Sequence, residues 1–265
     1  MSEQFLFEIC VASAEDAKVV EAGGADRIEL NSALSLGGLT PSLGALIEIR
    51  QTVSLPVIAM VRPRAGGFGY SEPEFHVMQR DVDLMFDHGA DGIAFGILDH
   101  AGEIDMARCR EILRQIVSHR SDRIQGAVFH RAFDFTPRPL EAIERLIDLG
   151  VRRVMTSGQR AAAIEGAALI RELVERANGR IEILPAGGIR PHNVAELLAR
   201  TGCTQIHASL REPRVDPSVG ARPNLSLAGA QSTADSGRYD MTSPDNLAAL
   251  LAALRRPATS PQRRV

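Results

Sequence analysis

Gly24-Ala25-Asp26-Arg27-Ile28-Glu29-Leu30 carries the chain from the stop of one helix straight into a strand. Ahead of it, Ala14–Ala22 has acids in its first turn and Ser13 as N-cap, and Gly23-Gly24 ends the helical pattern. The same joint returns as Gly89-Ala90-Asp91, Gly150-Val151-Arg152 and Gly202-Cys203-Thr204, each between a helical pattern and a short apolar run. Strands that alternate with helices through tight turns pair in parallel. Working outward, we read strands at 6–10, 26–30, 56–61, 91–95, 125–129, 153–156, 181–184 and 204–207. The helices between them are read at 14–22, 41–52, 71–88, 106–118, 139–150, 161–178, 192–200 and 244–254, with Thr40 expected as the N-cap before Pro41. Eight such units is the number that closes on itself. The expected fold is therefore α/β, a (β/α)8 TIM barrel, forming one domain over residues 1–255. Residues 211–243 are too long for an ordinary connection and are expected to form a lid-like loop after the eighth strand, with Arg222, Arg238 and Tyr239 reaching the mouth. The tail at 256–265 is expected to be disordered. The alternative, an open doubly wound sheet, lacks a Gly-x-Gly-x-x-Gly after the first strand.

Composition narrows the function classes. At 265 residues the length suits one such barrel, which typically takes about 250. A formal charge of -3 and no Trp argue against a nucleic-acid surface, and no apolar segment approaches the roughly 20 residues of a membrane span. Cys10, Cys109 and Cys203 are odd in number and far apart, which points to a reducing, cytoplasmic setting, and the N-terminus lacks the basic region of a signal peptide.

Barrel sites lie at the carboxyl ends of the strands. There, Phe129-His130-Arg131-Ala132-Phe133-Asp134 places ionisable groups at a strand exit, where burial is costly unless they are used or paired. Strand residues two apart share a face. If Glu8 points inward, so does Cys10; if Glu29 does, so do Arg27 and Asn31. Arg62, Arg64, Thr156, Ser157 and His207 stand at other exits. Glu8 or Glu29 suits a general base and His130 its acid partner. Arg62, Arg64, Arg131 and Ser157, with the Gly187-Gly188 turn after the seventh strand, suit an anion. The competing interpretation is a set of mutually satisfied ion pairs, Glu29 with Arg62 for example. Cys10 is either a soft metal ligand or a small buried hydrophobe, and Met60, Met155 and Met241 are either thioether donors or core filler.

Several of these segments carry a resemblance. Glu8-Ile9-Cys10, Gly24–Leu30, Gly37-Gly38-Leu39-Thr40-Pro41-Ser42, Arg62-Pro63-Arg64-Ala65-Gly66-Gly67, Phe129–Asp134, Thr156-Ser157-Gly158 and Gly187-Gly188-Ile189 resemble, in order, the copper-homeostasis CutC family. The resemblance implies a cytoplasmic barrel, a homodimer or higher homo-oligomer, and copper handling, with Cu(I) held through Cys10. Family members often carry a second cysteine where this chain has Asn31, so a two-thiolate site within one chain is not available. The sequence leaves two readings open. One is copper homeostasis with Cu(I) binding. The other is an enzyme acting on a small phosphorylated or carboxylated, sugar-like metabolite by Glu/His acid–base chemistry. The partner is then copper or a small anionic ligand, without nucleic acid or membrane.

Overall fold

The computed structural model describes residues 5–119, 126–222 and 237–255. Eight short strands, β1 (Leu6–Val11), β2 (Arg27–Leu30), β3 (Val57–Met60), β4 (Gly92–Phe95), β5 (Gly126–Phe129), β6 (Arg153–Thr156), β7 (Glu182–Pro185) and β8 (Gln205–Ala208), form one sheet. Its order is β7-β6-β5-β4-β3-β2-β1-β8, with every neighbouring pair parallel. A parallel bridge between Ala186 and His207 joins the last two strands and brings the ring to near closure. The helices are α1 (Ala14–Ala22), α2 (Leu43–Thr52), α3 (Glu72–Asp87), α4 (Met106–Ser118), α5 (Pro139–Asp148), α6 (Ala167–Ala177), α7 (Val194–Thr201) and α8 (Pro244–Arg255). The eightfold alternation read from the repeated joint is thus a (β/α)8 barrel.

Parity along the strands builds two cores. Outward residues such as Ile9, Val11, Ile28, Leu30 and Phe95 pack beneath the helices, where Leu46, Ile49, Met78 and Ile112 are fully buried. Burial of each such aliphatic side chain stabilises the fold by about 1.5–3 kcal/mol. Inward residues divide by side. Ile58, Met60, Ala94, Val128, Met155, Leu184 and Ala186 make an apolar wall. On the other side Glu8, Arg27, Glu29, Asn31, Arg153, Gln205 and His207 are buried inside the same barrel. The register keeps inward opposite inward: Glu8 faces Arg27 and His207, and Cys10 faces Glu29.

Three local expectations change. Ser42, not Thr40, caps α2, accepting from Ala45 N; the Thr40 hydroxyl accepts instead from Arg62 N at 3.0 Å and so fixes the exit of β3. α6 begins at Ala167 rather than near 161. The preceding backbone is used by the barrel mouth: Ala163 N donates to Gly187 O at 2.9 Å and Arg160 O accepts from Ser157 Oγ at 2.6 Å. The segment after β8 contains an antiparallel hairpin, β9 (Arg211–Val215) with β10 (Arg238–Thr242). Gln125 of the fifth predicted strand, residues 223–236 of the expected lid and the tail at 256–265 lie outside the described residues. Among the described residues no helix is long and apolar enough to cross a membrane.

Candidate functional site

At the carboxyl ends of the strands a cavity of about 460 Å³ opens, within the usual size range for small-ligand sites. Its floor and walls include Cys10, Glu29, Asn31, Met60, Arg62, His130, Met155 and His207.

The polar side is organised from below. Glu182 and Gln205 hold Arg153, Gln205 also accepts from Arg27, and Arg27 pairs with Glu8. The other Glu8 oxygen takes His207 Nδ1 at 2.8 Å. Burial alone would raise the Glu8 pKa, but Arg27 and His207 outweigh it and hold it at about 2. The carboxylate is therefore committed, and it orients His207. Nε2 of His207 then faces Glu29 Oε2 at 3.6 Å. Burial would lower the His207 pKa; the Glu29 carboxylate, Cys10 and Glu8 reverse this and hold it well above the ordinary value. Glu29 moves upward, first because it is buried and then because Glu8 is near, with His207 only partly offsetting this. Burial also pushes the Cys10 thiol upward.

Asn31 ties the acid to the thiol. Its Nδ2 donates to Glu29 Oε2 at 2.8 Å and to Cys10 Sγ at 3.4 Å. Asn31 thus bridges the two groups that a metal or a proton would use.

His130 sits opposite. Ala132 N donates to its Nδ1 at 3.1 Å, so the ring proton resides on Nε2. Burial, and then the Arg62 charge, lower its pKa to about 3. It is a neutral ring offering an N–H. Gly96 makes room for it: a Cβ there would stand 2.5 Å from the imidazole. Phe68 packs against both His130 and the Arg62 guanidinium. Arg62 is not paired with Glu29; it donates to the carbonyls of Leu36, Gly38 and Gly66. On residues that line the cavity, four buried polar atoms have no partner among the described residues: Glu29 Oε1, Asn31 Oδ1, Arg62 Nε and His130 Nε2.

The structure brings together Glu29, Cys10, Arg62, His130, Arg131, Gly187 and Gly188 from the sequence-based set. Arg64 stays outside this cavity, bonded to Glu74 and to the carbonyls of its own loop. Ser157 Oγ accepts from Arg131 Nη2 and sits between Asp134 and Arg160 O, which makes it a support for Arg131. Arg222, Arg238 and Tyr239 do not line the cavity, whereas Arg211 and Asp240 of the hairpin do. Met60 and Met155 line it, and Met241 does not. Sequence reasoning placed His207 at the mouth but missed its central part in the network; only the β1–β8 register reveals that. Arg190 was visible only as part of a glycine turn.

The profile of the CutC family matches residues 5–212 of the chain. The chain belongs to the CutC family. A CutC family protein of Treponema denticola is 49% identical over 84% of this chain and 88% of its own length. A human relative named "Copper homeostasis protein cutC homolog" is 46% identical over 79% of this chain and 75% of its own. Among solved structures, one from Streptococcus agalactiae that bears the CutC name superposes with a TM-score of 0.71 at 31% identity, covering 77% of this chain and 97% of that one. A CutC chain thus presents, in one cavity, Cys10, Glu29 and His207 with donor atoms all within 4.8 Å of one another.

Proposed function

We propose that the barrel mouth binds a small anionic metabolite and moves a proton on it. The observation that carries this is the set of four partnerless buried atoms around one cavity. Each such atom costs about 1–3 kcal/mol when left unsatisfied, so together they describe the surface of a polar ligand. Two are donors, Arg62 Nε and His130 Nε2, and suit an oxygen that gains charge. Two are acceptors, Glu29 Oε1 and Asn31 Oδ1. Glu29, raised by burial, is the base. It takes a proton from a carbon next to a carbonyl, whose oxygen rests on His130 and Arg62. His130 acts here as a neutral donor, not as a cationic acid. Glu8 positions His207 and takes no proton. The test is an NMR screen of phosphorylated and carboxylated hydroxyaldehydes and ketoses for solvent deuterium exchange at carbon. A substrate found this way loses at least 100-fold in rate in Glu29→Gln and His130→Ala, with folding intact. Wild-type rates in both variants would overturn the assignment.

A second reading has its own observation. Cys10, Glu29 and His207 converge, the thioethers of Met60 and Met155 line the same cavity, and the human relative carries a copper-homeostasis name. Thiolate, imidazole and thioether suit Cu(I) as cargo, while the Glu29 carboxylate is too hard to add much. Binding must displace protons from Cys10 and His207, both raised, so affinity rises with pH, by up to about tenfold per unit per proton released. An anaerobic Cu(I) titration against a competing chelator decides this. Stoichiometric binding abolished by Cys10→Ser supports copper, and binding indifferent to Cys10 contradicts it.

A further inference from the structure

We propose that the turn Gly187-Gly188-Ile189 together with Arg190 is a phosphate seat, which makes the substrate of the reaction proposed above a phosphate monoester. The inference rests on that reading and names its substrate class.

Charge is the first argument. Four arginines line the cavity. Arg131 is matched by Asp134 at 2.8 Å and Arg211 by Asp240 at 3.3 Å. The other two donate only to carbonyls: Arg62 to its loops, and Arg190 to Ile189 O at 2.7 Å and Ser209 O at 3.1 Å. Among the described residues no carboxylate lies within 4.0 Å of either guanidinium. Glu29 is already coupled to His207. The mouth therefore carries two positive charges that the protein leaves unmatched. A phosphate monoester brings about -1.5 to -2 at neutral pH, whereas a single carboxylate brings about -1.

Backbone geometry is the second argument. Gly187 and Gly188 have φ of 101° and 65°, the left-handed region that glycine enters without steric cost and that leaves the backbone of this turn uncovered by side chains. Ala186 N, before the turn, donates to Thr156 O, and Arg190 N, after it, donates to Asn193 Oδ1. Of the three N–H groups between them, that of Gly187 faces His207 O across the Ala186–His207 bridge, while those of Gly188 and Ile189 donate to nothing among the described residues. The turn is nonetheless held in place: Gly187 O accepts from Ala163 N and Gly188 O from Asn193 Nδ2. Residues on both sides thus fix a short run of open donors beside Arg190. Arg131 Nη1 flanks it, 3.4 Å from where a Gly187 Cβ would stand. In barrels of this type the loops after the seventh and eighth strands are a recurrent place for phosphate.

The test uses inorganic phosphate, with acetate as the singly charged comparison, followed by backbone amide NMR. Phosphate is expected to shift the Gly188 and Ile189 amides and to bind more tightly at pH 8 than at pH 6. Acetate at the same concentration leaves them in place. Arg190→Ala weakens phosphate about tenfold, and Arg190→Lys restores part of the loss. Glu29→Gln keeps phosphate binding, so failure of the proton chemistry and failure of the seat are separately visible. Phosphate shifts confined to other residues, equal effects of acetate, or an Arg190→Ala protein that binds as wild type would each overturn the seat.

Discussion

His130 and Gly96 carry the sharpest expectations at the scale of single residues. His130 has an ordinary value of 6.5 and a folded value of about 3. Below pH 6.5 the unfolded chain takes up a proton that the folded chain refuses until about pH 3. Stability therefore falls through that window as pH drops, by up to about 1.4 kcal/mol per pH unit. His207 works in the opposite direction: its elevated value contributes stability below 6.5 and loses it as pH rises through the folded value. Urea denaturation of wild type and His130→Asn between pH 4 and 7 separates them, and the variant is expected to show a flatter acid limb. Gly96→Ala drives a methyl into the imidazole and into Ala132 Cβ. It is expected to cost about 1–3 kcal/mol, read by thermal unfolding, and to abolish ligand binding by displacing the Nε2 donor. Glu8→Ala leaves Arg27 and His207 without their buried carboxylate and is expected to cost about 3–5 kcal/mol in the same assay. Strand parity grouped Glu8 with Cys10, and Glu29 with Arg27 and Asn31, and the structure turns both groups inward. What parity could not divide was their work, because Glu8 is neutralised by partners on two other strands while Glu29 keeps a free oxygen. For the same reason Arg62 was legible as a mouth residue but not as a clamp on loop carbonyls.

Elements were legible where capping and glycine punctuation are local. The Gly-x-Asp-type joints gave the strand starts, and the amphipathic runs gave the helices between them. The misses come from long-range bonds. Thr40 lost its place as a cap because Arg62 N takes its hydroxyl, and α6 starts late because the residues before it brace the Gly187 turn. The β9–β10 hairpin was unreadable for a different reason. Its strands are largely solvated on both faces, so they carry no apolar alternation; they pair through backbone and through Arg211–Asp240. One buried contact docks the hairpin on the barrel: Thr242 N donates to Asp16 Oδ1 at 2.7 Å, while Asp16 Oδ2 accepts from Ala12 N. Asp16→Ala is expected to lose about 1–3 kcal/mol and to make the 211–243 segment more sensitive to protease. An unchanged cleavage pattern would mean that the hairpin is held by other contacts.

For the molecule as a whole, the barrel interior is the informative feature. One wall is an ordinary apolar core, and the other is a buried ionic chain from Glu182 through Arg153, Gln205, Arg27 and Glu8 to His207. Replacing such a network with apolar side chains is often neutral or stabilising, so stability alone gives little reason to keep it. Its upper end shifts the pKa of Glu29 and of Cys10 and leaves buried atoms without partners on residues that line a cavity. Sequence reasoning reached the barrel, the family resemblance and most of the mouth. It could not see which polar atoms stay unpaired, because that depends on register and loop geometry across eight strands. The most direct test of the account is a structure of the protein with 2-phosphoglycolate, a stand-in for the enediolate of a phosphorylated carbonyl compound. The account predicts its carboxylate within about 2.7–3.2 Å of Arg62 Nε and His130 Nε2, close to Glu29, with those atoms no longer partnerless. A ligand seated away from them, or a mouth that refuses it while all four atoms remain unpaired, would contradict the account.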